Sequence, residues 1–176
     1  MRYQQGITQI EIIIIVCVIA ILSTLAIPSI NGWLPRFDFN SQIAMLHNDF
    51  QLARFKAIGE NSQYKIKFTL STTAQDSYTM LYYDEDSGTW KIDNDIRYRK
   101  IKKSVDIAYI DSSVNNSGTS TDEPFAKEFY PDGSYGGGTI LSEGEIYLQS
   151  TKEEGLKKKI IITPATGFIR VEEGWD

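Results

Sequence analysis

A continuous apolar segment near the N-terminus constrains this chain more than any other feature. Every residue from Ile12 to Leu22 is apolar, and apolar character continues to Ile30 with four polar or proline interruptions. A helix of about 20 such residues spans a bilayer. Glu11 stands directly before the segment, where an acidic side chain carries a free-energy cost in lipid. We therefore predict a membrane helix whose N-terminal carboxylate has a partner.

The residues before this segment are few and mostly polar. In a secretory signal the apolar region precedes the cleavage site, whereas here the possible processing site, Gly6, comes first. Cleavage after Gly6 would retain the apolar helix and create an α-amine at Ile7, four residues from Glu11. That amine is largely cationic at neutral pH and would complement the carboxylate. The alternative is an ordinary single-pass anchor with Glu11 at the interface.

Composition allows one compact domain after the anchor, since the chain has 176 residues. Beyond residue 36 it has 16 basic and 22 acidic side chains, which argues against general binding of nucleic acid or anionic lipid. Arg2 is the only basic residue before the apolar segment, which favours a cytoplasmic N-terminus and a periplasmic domain. Cys17 is the only cysteine, so an intrachain disulfide is excluded.

Helical periodicity resumes between Asn40 and Ile58, with a new start predicted at Asn40 or Ser41 and an end at Gly59 and Asn61. The predicted stripe that faces a sheet consists of Ile43, Leu46, Phe50, Ala53 and Ala57. A helix continuous with the membrane segment would form a stalk of about 75 Å.

From Tyr64 onward, alternation of apolar and polar residues predicts antiparallel strands, with Lys65 and Lys67 on the solvent side of the first. The predicted strands are 64–70, 78–83 and 90–92, one or two within 96–110, a pair marked by Ile140, Ile146 and Leu148, and a closing hairpin over 159–171. The polar stretch 111–124 is predicted to be a loop. The fold class is α+β, with a long N-terminal helix packed on an antiparallel β-sheet domain.

Gly6-Ile7-Thr8-Gln9-Ile10-Glu11 with the Ile/Val-rich segment resembles the class III signal of type IV pilins and type II secretion pseudopilins. The resemblance implies that a prepilin peptidase cleaves after Gly6 and methylates the N-terminus of Ile7. It further implies that Glu11 meets the N-terminal amine of a neighbouring subunit, and that Pro28 kinks the helix. Ile7 and Gln9 depart from the usual pattern, which has Phe and an apolar residue at these positions.

Three further segments are similar to the GspH/FimT group of minor pseudopilins. Gln51-Leu52-Ala53-Arg54 is followed by Ala57-Ile58 and Asn61, and Phe129 to Gly133 is followed later by the Thr166-Gly167 turn. The resemblance implies a pilin-like fold and a minor pseudopilin of a type II secretion system, at or near the tip of the periplasmic pseudopilus. Its partners would be other pseudopilins or pilins, the prepilin peptidase and the inner membrane.

This interpretation divides the chain into a leader peptide, residues 1–6, the transmembrane half of the helix, 7–30, its soluble half, 31–59, and a β-rich periplasmic domain, 60–176. The alternative is a FimT-like minor pilin of a type IV pilus, involved in pilus assembly or DNA uptake.

Two charged clusters invite chemical interpretations. Asp84, Glu85 and Asp86, with Asp93 and Asp95, are oxygen donors of the kind Ca²⁺ prefers, but their spacing is not that of an EF-hand, and we favour a polar turn without metal. The basic cluster consists of Arg97, Arg99, Lys100, Lys102 and Lys103. It offers phosphate contacts for DNA, but we favour a charged edge strand, because acidic residues flank it. His47 is the only histidine, and we predict neither an enzyme nor a cofactor.

Overall fold

The computed structural model describes residues 8–70, 75–111, 128–136 and 144–174, with backbone alone for residues 24–32 and 109–111. One continuous helix, α1, runs from Gln9 to Gly59, about 75 Å at 1.5 Å per residue. The predicted new start at Asn40 or Ser41 is wrong. The Ser41 hydroxyl donates to the Asp38 carbonyl oxygen, 3.1 Å away, so this side chain bonds within a continuing helix instead of capping one.

The C-terminal end of α1 is where the sequence predicts it. Glu60 is the capping residue, and Asn61 follows with a φ of 51°, the left-handed conformation that asparagine tolerates. The amide of Ser62 donates to the carbonyl oxygen of Ala57 at 3.2 Å. This bond closes the last helical turn and directs the chain into the first strand.

Ten strands follow α1 in the described ranges, and all of their pairings are antiparallel. They are β1 Tyr64–Thr69, β2 Ser77–Asp84, β3 Thr89–Ile92, β4 Arg99–Lys100, β5 Val105–Asp111, β6 Glu128–Phe129, β7 Tyr135–Gly136, β8 Gly144–Ser150, β9 Lys157–Ile162 and β10 Ile169–Glu173. One sheet has the order β3-β2-β1-β6-β7, with β4 also paired to β2, and the other has the order β10-β9-β8-β5.

The predicted α+β class is confirmed, with two sheets in place of the single sheet that was expected. The predicted strands 64–70, 78–83 and 90–92 correspond to β1, β2 and β3, and β9 and β10 form the closing hairpin. Two strands, β4 and β5, fall in the region 96–110. The predicted loop 111–124 lies outside the described residues, except for Asp111, which ends β5, and Ile140 also lies outside them.

The core lies between the C-terminal half of α1 and the two sheets. All residues of the predicted stripe are buried: Ile43, Leu46, Phe50, Ala53 and Ala57. The ring centroid of Phe50 lies 6.2 Å from that of Phe68 in β1 and 6.3 Å from that of Phe129 in β6. On the side of the second sheet, His47 Nε2 lies 3.4 Å from the carbonyl oxygen of Ile169 in β10. The helix is thus the shared spine of both sheets.

One prediction about β1 is wrong. Lys65, expected on the solvent face, is only 3% exposed. Its Nζ lies 3.9 Å from the ring centroid of Trp90 in β3, in a cation–π contact. In this sheet β2 lies between β1 and β3. The indole of Trp90 therefore reaches over the sheet face, across β2, and covers the lysine. Lys67 is half-buried.

Candidate assembly interface

The N-terminal part of α1 presents apolar side chains to all sides. Between 50% and 67% of each is exposed: Ile10, Ile12, Ile13, Ile14, Ile15, Val16, Val18, Ile19, Ile21 and Leu22. Ser23 interrupts the series, and its hydroxyl donates to the carbonyl oxygen of Ile19 at 2.7 Å. Because this polar group is satisfied within the helix, it adds no unpaired donor to an apolar surface. A helix that is apolar all round requires an apolar environment or other helices.

Glu11 is exposed and lies in the first turn of this helix. Thr8 is the N-cap, and its Oγ1 accepts a hydrogen bond from the Glu11 amide at 3.4 Å. The spacing Thr-x-x-Glu is that of a capping box, a local signal that our reading of the sequence missed. The helix N-terminus also carries partial positive charge, which stabilises a carboxylate there. Glu11 therefore has a favourable position in an isolated subunit while its side chain remains accessible.

Gly6 and Ile7 lie outside the described residues, and the side chain of Pro28 also lies outside them. Cleavage, methylation and the helix kink at Pro28 therefore stay predictions. Over the described residues, no helix combines the length and mean hydropathy that a membrane span needs.

Where α1 enters the folded domain, an exposed aromatic pair and an ion pair lie next to each other. The rings of Trp33 and Phe37 are 5.0 Å apart between centroids. Arg36 binds Glu153 in the β8–β9 turn with both Nε and Nη2, and the Nε–Oε1 distance is 2.8 Å. The hydrogen bond and charge of Arg36 lower the pKa of Glu153. This two-point contact, which joins residues 117 apart in sequence, ties the β8–β9 turn to the base of the helix.

The three segments that resemble the GspH/FimT group meet near the other end of α1. Arg54 Nε donates to the carbonyl oxygen of Gly133 at 3.3 Å. Gly167 has a φ of 60°, and a Cβ at this position would lie 2.2 Å from that same oxygen. Only glycine permits this approach of the two turns. These sequence elements thus form one junction between the helix and the two turns, with a structural role.

A buried polar group fixes the basic cluster to the helix. The Tyr78 hydroxyl donates to Asp49 Oδ2 at 2.6 Å, and Arg99 Nη1 lies 3.4 Å from the same oxygen. Burial raises the pKa of the Asp49 carboxyl, although the hydrogen bond from Tyr78 and the charge of Arg99 oppose that rise. Nearer the base, Lys102 Nζ lies 2.7 Å from Asp38 Oδ1. Two of the five predicted cations are therefore paired with carboxylates of α1.

The other three members of the basic cluster, Arg97, Lys100 and Lys103, are exposed. Arg97 donates from Nε and Nη2 to the side-chain oxygen of Asn94, at 3.1 and 2.9 Å. β4, which contains Arg99 and Lys100, pairs with β2 on the same side as β3, so this part of the cluster lies at a sheet edge, as the charged-edge interpretation predicts. The structure leaves three exposed cations there, fewer than the sequence offered for binding phosphates.

Three of the acidic residues considered as calcium ligands form ion pairs with lysines, one with Lys91 and two with Lys56. Asp84 pairs with Lys91 across the β2–β3 turn, while Asp86 is exposed in that turn. Asp93 and Asp95 both bind Lys56 of α1, with Nζ–O distances of 2.8 and 2.6 Å. Burial alone would lower the pKa of Lys56, but the hydrogen bonds and charges of the two carboxylates outweigh it and raise that pKa. In the described ranges, no group of three or more potential metal ligands comes together.

No protein-family model matches the chain, and no curated protein matches it. Its fold does match solved structures. A structure of the minor pseudopilin EpsH from the type II secretion system of Vibrio cholerae has a TM-score of 0.54 at 10% identity, covering 77% of this chain and 97% of that chain. A crystal structure of the same pseudopilin gives 0.55 at 12% identity, covering 79% and 96%. The chain has the fold of a minor pseudopilin, as the resemblance implied.

Proposed function

We propose that this protein is a minor pseudopilin of a type II secretion system. It is a structural subunit without catalytic activity, at or near the tip of the periplasmic pseudopilus, and it aids pseudopilus assembly and protein export. The observation that carries the proposal is the division of α1, which is exposed and apolar at one end and the spine of two sheets at the other. The EpsH fold supports the same role.

The proposal assigns residues 1–6 to a leader, 7–30 to the membrane half of the helix, 31–59 to its soluble half, and 60–176 to the periplasmic domain. The subunit begins as a single-pass protein of the inner membrane. A prepilin peptidase removes the leader after Gly6 and methylates Ile7. The apolar helix then exchanges lipid for the helices of other pseudopilins, both of which accept an apolar surface.

Glu11 has the assembly role in this scheme. As the subunit leaves the membrane, its carboxylate binds the N-terminal amine of a neighbouring subunit. An unpaired charge in an apolar environment costs several kcal/mol, on the order of 2.5–3.5 on insertion scales, so pairing favours the assembled register. Pro28, which lacks an amide hydrogen, gives the helix a site at which it can bend during packing.

Processing is tested by intact mass and N-terminal sequencing of the protein from its native membrane. We expect an N-terminus at methylated Ile7. Retention of residues 1–6, in cells whose peptidase processes other pilins, would reduce the chain to an ordinary membrane-anchored protein.

Assembly is tested with Glu11→Ala, expressed together with the other pseudopilins of the same cell. We expect normal membrane insertion and loss of the subunit from sheared pseudopili. Gln9→Ala, an equally exposed polar position in the same turn, is the matched control and should assemble normally. Incorporation of Glu11→Ala at the control level would remove the docking role.

A FimT-like minor pilin that binds DNA is the second candidate, favoured by the three exposed cations of the basic cluster: Arg97, Lys100 and Lys103. It predicts DNA retention that falls steeply with salt, because phosphate contacts release counterions. Protein in detergent that retains no DNA at low salt would exclude this candidate and leave the secretion pseudopilin.

A further inference from the structure

The end of the domain from which α1 emerges has an exposed surface of its own. We define this basal surface by the side chains of Trp33, Leu34, Phe37, Lys103 and Lys152, all of which are exposed. Before assembly, we propose, the basal surface lies on the phospholipid headgroups of the membrane, so that the domain rests directly on the bilayer. The inference rests on the membrane anchor of the proposed function and adds a second, peripheral contact with lipid.

The position of the aromatic pair along α1 matches the thickness of a bilayer. From Ile12 to Gly32 the helix has a length of about 31 Å at 1.5 Å per residue, and the hydrocarbon core measures about 30 Å. With Glu11 at one face of the core, Trp33 and Phe37 therefore reach the opposite interface. Tryptophan concentrates at that depth, since its indole joins an apolar body to a polar N–H that suits the headgroup region, and Phe37 adds apolar area beside it.

The ion pair between Arg36 and Glu153 brings the β8–β9 turn to the same level. The β8–β9 turn is bonded to the turn between β4 and β5, because the Thr151 hydroxyl donates to the carbonyl oxygen of Lys103 at 2.9 Å. The Thr151 amide also donates to the carbonyl oxygen of Ser104, at 3.0 Å. The lysines of both turns are therefore held beside the helix at its point of exit.

The charges at this end suit a surface of phosphates. Arg36 is paired with Glu153, and Lys102 with Asp38. Of the remaining charged side chains in these two turns, Lys103 and Lys152 are cationic and exposed, and Glu154 is anionic and exposed. A domain that is acidic overall thus presents a cationic excess where it would meet lipid headgroups, together with an apolar aromatic pair.

The test uses the full chain in vesicles of phosphatidylethanolamine and phosphatidylglycerol. Trp90→Phe with Trp175→Phe leaves Trp33 as the only tryptophan, and phenylalanine keeps an aromatic ring beside Lys65. We expect a blue shift of Trp33 emission on insertion, and stronger quenching by lipids brominated close to the headgroup than by lipids brominated at the chain end.

A nitroxide spin label reports whether the β8–β9 turn lies at the membrane surface or in water. In a Cys17→Ala background, Glu154→Cys, at an exposed position of the same turn outside the basal surface, carries the label, and Asp86→Cys is the matched control. Asp86 lies in the β2–β3 turn, where the Ser62 hydroxyl donates to Tyr83, so it belongs to the opposite end of the domain. We expect the label at position 154 to be shielded from a water-soluble relaxation agent and the label at 86 to be accessible. Adding Glu153→Ala should release the label at 154 into water while Trp33 quenching is unchanged.

The outcomes separate this inference from the proposed anchor. A nitroxide attached to Cys17 of the chain without substitutions reports the depth of the membrane helix. If Cys17 lies in hydrocarbon while Trp33 and position 154 are both in water, the basal contact is wrong and the anchor stands. If Cys17 is also in water, both are wrong. Shielding of position 154 without lipid quenching of Trp33, accompanied by disulfide-linked dimers of unlabelled Glu154→Cys, would assign this surface to a second copy of the chain and overturn the lipid contact.

Discussion

The two halves of α1 have the same secondary structure and opposite surroundings. From Ile10 to Leu22, apolar residues cover every side of the helix and are exposed, as Ile14 is at 57%. In the C-terminal half, one stripe is buried against two sheets, as Ile43 is at 3%. The folded domain buries the apolar stripe of the C-terminal half, whereas the described residues leave the apolar side chains from Ile10 to Leu22 exposed. The exposed apolar segment therefore needs something outside the described part of the chain, which is the physical basis for the proposed role in assembly.

The strongest test of this contrast compares one substitution at both places. Ile43→Ala should lower the free energy of unfolding of the domain by about 2–5 kcal/mol, because it opens a cavity in a packed core. Ile14→Ala should leave it unchanged in detergent. Chemical denaturation of the full chain measures both. Equal effects would mean that the N-terminal half also packs on the domain.

The buried hydrogen bond from Tyr78 to Asp49, in the C-terminal half of α1, gives the next largest effect. Tyr78→Phe removes the hydroxyl that Asp49 accepts, and should cost about 1–3 kcal/mol of unfolding free energy. Tyr98→Phe, at an exposed position, is the control and should stay within about 0.5 kcal/mol of the parent. A Tyr78→Phe protein as stable as the control would show that Asp49 gains nothing from the tyrosine.

The same group predicts a pH dependence. Since burial raises the pKa of Asp49 above its ordinary 3.8, its contribution to stability is complete below that pH and is lost as pH rises through the raised value. Asp49→Asn does not ionise. Its stability relative to the parent should therefore increase from acid to neutral pH, as thermal unfolding across that range would reveal. A constant difference would place the pKa of Asp49 at its unfolded value.

Substitutions at the two ends of the helix should affect the stability of the domain differently. Asn61→Ala places an alanine in the left-handed conformation, which should cost the domain about 1–2 kcal/mol, while Asn61→Gly should be tolerated. Thr8→Ala removes a cap of similar value from the exposed end. We expect no change in domain unfolding from Thr8→Ala, measured by the same denaturation. A loss equal to that of Asn61→Ala would join the two halves into one cooperative unit.

The smallest effect concerns the contact where the two halves meet. Arg36 lowers the pKa of Glu153, so this pair adds stability above the ordinary value of 4.5 and loses it as pH falls through the lowered value. Glu153→Gln should be less stable than the parent at neutral pH, and the difference should fade in acid. A difference that survives in acid would point to packing of the side chain instead of its charge.

Much of the fold was predictable because its signals are local. The helix stripe through Phe50, the change to alternation at Tyr64 and the end at Asn61 follow from periods of a few residues and from turn chemistry. The sequence did not predict that α1 runs through Asn40 and Ser41 without interruption. The Ser41 hydroxyl bonds to the Asp38 carbonyl oxygen within the helix and accepts a hydrogen bond from Lys102, a residue that tertiary packing brings to it.

The candidate interface was predictable in part. The exposed apolar segment and Glu11 are visible in the sequence, and the Thr8 cap could have been read from the Thr-x-x-Glu spacing. Which cations of the basic cluster are paired could not be read, because Arg99 and Lys102 find Asp49 and Asp38 more than 45 residues away. The burial of Lys65 likewise depends on where β3 places Trp90.

By itself, the sequence determined the apolar segment with its bordering carboxylate, the buried face of the helix and the change from helix to strands. Each of these follows from the chemistry of residues within a few positions of one another. The tertiary structure alone decided that the strands form two sheets, that Arg54, Gly133 and Gly167 meet at one junction, and that Arg36 binds Glu153. Such contacts join residues 34 to 117 positions apart, and their geometry exists only after sheet register and helix packing bring those residues together.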